Sequence, residues 1–222
     1  MTQIWIIGLG HFGQIALDRL ASSSGPRSFT LVDPNPLSLR AAEGHGAETV
    51  ASDGVAFLAE RLSRTGGPDW IIPAVPVHLA AEWCMKRLGP ERVSRIGLPP
   101  GIESQLAHPM TGPSGDIYVS HADFICPDDC PEPADHCTVT QQPRKPNMFD
   151  QLAHIPVPGG RSLVIRSRQL KPGVGGYRPD ALFHLLDQLG SLPGPALVST
   201  ACRCHGVVTP MTILESPTLP QP

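Results

Sequence analysis

Apolar runs alternate with stretches of helical spacing along the first part of the chain. Residues 3–8 (QIWIIG) read as a buried strand, and Ile15, Ala16, Leu17 and Leu20 then recur at helical intervals. The same alternation predicts strands over 28–33 (SFTLVD), 47–52 (AETVAS), 69–75 (DWIIPAV) and 92–98 (RVSRIGL). Helices are predicted over 37–46, 54–67 and 78–89, with glycines at their ends. Strand–helix alternation implies parallel pairing with right-handed crossovers. The expected fold class is α/β, a Rossmann-like parallel sheet with flanking helices.

Past LPPG (98–101) the texture changes. A strand is predicted at 115–124 (GDIYVSHADF), followed at once by a cysteine-rich segment. QQPRKPN (141–147) reads as a loop, MFDQLAHI as a short helix and RSLVIRSRQL (161–170) as one strand. KPGVGG (171–176) reads as a loop and RPDALFHLLDQLG as an amphipathic helix. GPALVSTACRCHGVV (194–208) is predicted as a last strand running into a second cysteine group. The expected organisation is a nucleotide-binding domain over 1–115 and a Cys- and Pro-rich α/β half over 116–215, packed on the same sheet or continuing it. The tail 216–222 (SPTLPQP) is expected to be disordered. No internal repeat is visible.

Composition narrows the function classes. Hydrophobic residues make up 41% of the 222 positions, enough for a substantial core, and the net charge of −3 lacks the basic excess of a nucleic-acid footprint. The 26 prolines are dispersed, which fits irregular connections rather than one disordered tract. WIIPAVPVHLAAEWCM is the best apolar stretch; two prolines and flanking charge make it too short and too interrupted for a membrane span. MTQIWIIGLG lacks the basic and apolar regions of a secretory leader. The expectation is a soluble, cytoplasmic protein whose six cysteines act as metal ligands, redox groups or core residues before disulfides.

IWIIGLGHFG carries G-x-G-x-x-G at Gly8, Gly10 and Gly13, after a strand and before a helix. In that context the first glycine permits the sharp turn, the second lets a pyrophosphate approach, and the third lets helix and strand pack closely. The helix N-terminus around His11, Phe12 and Gly13 offers N–H groups to the phosphate. Asp33 ends the second strand, 20 positions past Gly13 (33 − 13), where a carboxylate can hold a ribose diol and repel a 2′-phosphate. The cofactor expectation is NAD(H) or an adenine nucleotide, not NADP.

The segments IWIIGLGHFGQIALDRL, LVDPNP, GAETVASDGVAFLAERL and DWIIPAV together resemble the TrkA-N, or RCK, nucleotide-binding domain over about the first 95 residues. Those domains regulate potassium transporters and channels by binding NAD(H) or adenine nucleotides. The resemblance implies a nucleotide site lined by Gly8, Gly10, Gly13, Asp33 and the Asp53–Gly54 turn. Five cysteines and many prolines stand where the small C-terminal domain of that family is expected.

Cys126, Cys130 and Cys137 are spaced C-x3-C-x6-C, and Cys202, Cys204 and His205 form C-x-C-H. Thiolates in these numbers suit tetrahedral zinc or an iron–sulfur cluster, and the spacing does not choose between them. A shared centre needs the three thiolates of the loop and Cys202 or Cys204. His136 and His205 are alternative ligands. Cys84, on a predicted helix between Trp83 and Met85, is read as packing. The glycine loop, both cysteine groups and KPGVGG each follow a predicted strand, so in one parallel sheet they would meet at its carboxyl edge.

His78 could serve a bound substrate as acid or base; without a visible partner it is read first as structural. PRKP (143–146) is read as a solvated basic turn. No catalytic set is evident, so enzymatic activity stays open. The leading functional expectation is a nucleotide-binding regulator or sensor with a cysteine-ligated metal centre. The alternatives are an NAD-linked oxidoreductase using that centre and a metal-stapled interaction module. A protein partner or a second copy of the chain is a further expectation.

Overall fold

The computed structural model describes residues 1–42 and 45–215. The predicted tail, and part of the predicted 37–46 helix, lie outside these residues.

The first sheet and its helices alternate: β1 (Thr2–Ile7), α1 (His11–Ala21), β2 (Arg27–Asp33), α2 (Pro36–Ala41), β3 (Glu48–Ala51), α3 (Gly54–Arg61), β4 (Trp70–Pro73) and α4 (Leu79–Leu88). The strands are all parallel in the order β3-β2-β1-β4, so the order reverses between β1 and β4. This is a mixed α/β fold with a parallel four-stranded sheet and flanking helices, compatible with a Rossmann-like arrangement. Ile4, Ile6, Leu17, Leu20 and Phe29 form an apolar layer on one face, beneath α1.

The remaining elements are β5 (Val93–Arg95), β6 (Met110–Thr111), β7 (Ile117–Ser120), α5 (Met148–Ala153), β8 (Arg161–Arg166), β9 (Arg168–Lys171), β10 (Val174–Gly176), α6 (Pro179–Ser191), β11 (Gly194–Ala201) and β12 (His205–Ile213). They build a second, separate sheet in the order β6-β7-β12-β11-β8, with β5 also paired to β12. Only β8 and β11 are parallel in it; the other pairs are antiparallel. A core containing Ile7, Ile71, Trp83, Phe183, Val198 and Met211 joins the two sheets through α3, α4 and α6. A third cluster, with Met148, Leu152, Leu197 and Val208, seals the far face of the second sheet under α5.

Several expectations are corrected here. The short fifth strand does not extend the parallel sheet; β5 crosses over and runs antiparallel to β12. Arg95 at its end is held by Glu82 and by Asp116 at 2.8 Å, a tertiary pull invisible to local pattern. The predicted strand 161–170 breaks at Ser167, whose N–H bonds Ala201 O at 2.8 Å, and KPGVGG is part of the β9–β10 hairpin. The last predicted strand is two strands folded back at Cys202–Cys204, so β12 was not foreseen. The four loops therefore do not share one parallel edge. They converge instead because the hairpin leans on the first sheet: Tyr177 exchanges two hydrogen bonds with Ile71 of β4. Among the described residues no helix is long and apolar enough to cross a membrane.

Candidate nucleotide cradle and cysteine cavity

At the end of β1 the chain turns through Gly8, whose φ of +95° favours glycine and whose missing side chain leaves room for Ala74 O. A Cβ on Gly13 would collide with the carbonyl oxygen of Gly8, so α1 can sit on the strand exit only with glycine there. Gly10 differs from both. Its backbone is extended, and a Cβ built on it meets nothing within 4 Å. The fold thus requires two of the three glycines, and the third borders open space. Gly10 is the N-cap of α1 with no side-chain cap, and the first turn holds no acidic residue. The N-terminal N–H groups and the helix dipole therefore face that space without an anionic side chain from their own turn.

Asp33 closes the loop from β2. Its Oδ2 accepts from Leu9 N at 2.7 Å and its Oδ1 from Asn35 N at 2.8 Å. Each oxygen keeps a further lone pair for a ligand hydroxyl. Asp53 caps α3, accepting from Ala56 N at 2.9 Å. His11 and Phe12 are exposed, and their rings meet edge to face. His11 Nε2 lies 2.9 Å from Asp128 Oδ2, which ties the glycine loop to the cysteine-rich segment.

That segment, residues 121–147, has no helix or named strand, and an isolated bridge joins His136 to Pro143. It is fastened from three sides. Arg19 of α1 donates to Asp128 O (2.8 Å) and Pro172 O (2.6 Å), and Gln169 of β9 donates to Cys130 O (2.8 Å). At the β11–β12 turn, Arg203 N donates to Glu132 Oε1 at 2.7 Å and His121 N to Cys204 O at 2.9 Å. Cys126, Cys130, Cys137, Cys202 and Cys204 all line one cavity of about 670 Å³. Phe12 forms part of its wall, so cradle and cavity adjoin. His205 and His121 also line it, whereas His136 pairs with Asp135 outside.

The cysteines differ in their surroundings. Burial, then neighbouring Cys130, Cys204 and Cys137, push the Cys126 thiol up. Backbone N–H groups of Thr140 and Val139 and the Thr140 hydroxyl hold Cys137 down. Cys202 is pushed up to about 12, by burial and then by the Glu132 carboxylate. Burial raises Cys204, opposed by Arg144, whose guanidinium donates to its sulfur. Arg144 belongs to the turn expected to be solvated; Pro143 and Pro146 bracket it, but the tertiary fold aims it into the cavity. All six cysteines are free thiols, and Cys84 is fully buried in the joint core. Among the described residues no three His, Cys, Asp or Glu side chains converge closely enough for a single metal ion. The sulfurs are spread around the cavity wall.

His78 does not reach either feature. It is buried, with Nδ1 2.7 Å from Thr209 Oγ1 and Nε2 2.9 Å from Thr200 Oγ1. Burial lowers it to about 4. Beside it Asp116, fully buried, accepts from Thr209 (2.5 Å), Ser114 (2.6 Å) and Arg95 (2.8 Å). Burial pushes Asp116 up, but those bonds outweigh it and hold the carboxyl at about 2. This network links the two sheets.

Comparison with known proteins places residues 80–214 in the family described as "Uncharacterized protein, C-terminal domain", and the chain belongs to that family. The match begins within α4 and ends just past β12. A protein of Archaeoglobus fulgidus, titled "Uncharacterized protein", is 29% identical over 223 residues, covering 92% of this chain and 96% of the relative. No solved structure matches. These findings correct the TrkA-N/RCK resemblance: the matching family is a different one, and the link to potassium transport drawn from that resemblance falls with it. The physical reason is that a strand, three spaced glycines, a helix and a second strand ending in Asp describe a unit shared by many α/β proteins.

Proposed function

We propose that the protein binds an adenine nucleotide, with NAD(H) the best match, at Gly8–Gly13 and Asp33, and holds a thiolate-ligated metal centre in the adjoining cavity. The observation that carries the nucleotide reading is Gly10. Gly8 and Gly13 are explained by their contacts with the fold, while Gly10 faces empty space at an uncapped helix N-terminus. A pyrophosphate there would accept from the first-turn N–H groups, and a ribose diol would reach the Asp33 carboxylate. The reversal of strand order between β1 and β4 is the position where open α/β sheets bind ligands. The metal reading rests on five cysteines gathered at one cavity.

Calorimetry on the full chain tests the nucleotide half. NAD(H) or ADP should bind, and Gly10→Val should weaken binding at least about tenfold, or about 1.4 kcal/mol, while the fold persists. Absence of binding to the wild type overturns it. A second reading, an NAD-linked oxidoreductase, is favoured by the shared wall at Phe12 and by the His11–Asp128 contact. It requires a substrate-dependent change in NADH absorbance, which a purely regulatory nucleotide site would not produce.

A further inference from the structure

Resting on the nucleotide half of that reading, and not on the metal centre, we infer that the ligand is a whole dinucleotide. Its adenosine ribose lies at Asp33, its pyrophosphate at Gly10, and its second, ring-bearing half enters the cysteine-lined cavity against Phe12.

The topology sets three features in a row. Asp33 ends β2, the glycine loop follows β1, and the strand order is β3-β2-β1-β4. The β9–β10 hairpin stands on the far side of β4, where Ile71 N donates to Tyr177 O at 2.9 Å and Tyr177 N to Ile71 O at 3.1 Å. Gly173, at the turn of that hairpin, lines the cavity, as Phe12 does from the glycine loop. Neighbouring strands lie about 4.8 Å apart, so the three steps from β2 to the hairpin cover about 14 Å. A ribose at Asp33 with its diphosphate at Gly10 covers the first step and stops at the glycine loop. The hairpin wall of the cavity is on the other side of β1. A ligand reaches it by continuing beyond the pyrophosphate.

Phe12 is the residue of this loop that the fold does not explain. It is 59% exposed and belongs to none of the three apolar clusters. Among the described residues its aromatic neighbour is the edge of His11, itself exposed. Phe12 stands between Gly10 and Gly13. Its backbone therefore belongs to the helix turn that would receive the phosphates, and its ring forms cavity wall. One residue thus borders both the pyrophosphate position and the space beyond it.

The walls suit a flat ring. Phe124 and the half-exposed Val139 add apolar surface from the cysteine-rich segment. Aromatic walls favour a ring that stacks on them or meets them edge to face. Ser167 and Gln142 also line the space and offer hydroxyl and amide groups to a ring carboxamide. A cavity of about 670 Å³ is in the range of small-molecule sites. NAD(H) has the required form, an adenosine and a nicotinamide riboside joined through a pyrophosphate. ADP has the first half alone.

Calorimetry of the full chain, as isolated, with NADH and with ADP tests this, together with the fluorescence of bound NADH. NADH should bind at least about tenfold more tightly than ADP. Its emission should rise and move to shorter wavelength as the nicotinamide leaves water. Phe12→Ala should lower NADH affinity far more than ADP affinity and return the emission toward that of free NADH, whereas Phe12→Tyr, which keeps a flat ring, should preserve both. Equal affinities for ADP and NADH, with unchanged emission, overturn the inference and leave the nucleotide site standing. Binding of neither overturns the nucleotide site itself. If NADH is preferred and Phe12→Ala keeps the full preference, the second half lies elsewhere and the assignment to the cavity fails. The wild-type comparison decides between a whole dinucleotide and its adenine half even if a variant does not fold.

Discussion

The first sheet and the cysteine-rich segment are neighbours built on opposite principles. At the end of β1, backbone meets backbone: Gly8 lies against Ala74 O, and Gly13 against Gly8 O, with no side chain between them. The segment 121–147 is tied instead through side chains reaching backbone atoms, as Arg19 does to Asp128 and Pro172 and Gln169 to Cys130. Close-packed backbone has no way to absorb an added methyl. A loop held by separate polar ties loses only about 1 kcal/mol for each one removed. One region is expected to fail at a single atom; the other is expected to loosen by degrees.

The largest expected effect is Gly13→Ala, which forces a methyl into the carbonyl of Gly8. Thermal or denaturant unfolding should show a loss of more than about 4 kcal/mol, or no folded protein. Survival with near wild-type stability would mean that α1 can slide, contrary to the rigid reading of this junction.

Next comes acid. His78 has a folded pKa of about 4 against an ordinary 6.5, so the unfolded chain takes up its proton first as pH falls. Its contribution is intact above 6.5 and is lost as pH falls toward 4, about 3 kcal/mol in full. Asp116, held at about 2 against an ordinary 3.8, adds a further loss as pH falls below 3.8. His78→Gln, which keeps side-chain bonding capacity without a titrating group, should flatten stability between pH 7 and 4.5 in denaturant titrations. An unchanged slope would assign that loss to other groups.

Smaller is Arg19→Ala, which removes two ties to the segment. A global cost near 2 kcal/mol is expected, about 1 for each tie, with faster amide exchange confined to residues around Asp128 and Cys130. Exchange rising equally across the first sheet would show that the two regions are not energetically separate. Smallest is Gly10→Ala, the same chemical change as at Gly13 but into open space. Its stability cost should stay below about 1 kcal/mol, while nucleotide affinity falls. Equal damage at Gly10 and Gly13 would remove the basis for the nucleotide reading.

The sequence was readable where local pattern and final structure coincide. β1, β2, β4 and α1 were visible because a buried parallel strand is a continuous apolar run and its helix is amphipathic. Gly8 and Gly13 were legible because their roles are steric: a positive φ at the strand exit and a close approach of helix to loop. What was hidden depends on distant partners. RVSRIGL pairs with β12 more than a hundred positions away, and nothing in its own residues states that. The split of 194–213 into β11 and β12 was masked because Cys202–Cys204 lacks the Asn-Gly or Gly-rich signature of a tight hairpin. The cysteines were recognisable as a set by residue type, but their distinct surroundings come from Glu132, Arg144 and Thr140, which carry no motif.

The position of β12 bears on how the protein is made. It is the last strand among the described residues, yet in the second sheet it pairs with β5, β7 and β11. A ribosome delivers it after every partner. The first sheet pairs strands close in sequence and can complete itself while synthesis continues. The second cannot close until its final residues emerge, and Cys204 emerges just before them. The nascent chain therefore exposes Cys126, Cys130 and Cys137 for an interval in which the cavity they line lacks its far wall, the β11–β12 turn that carries Cys202 and Cys204.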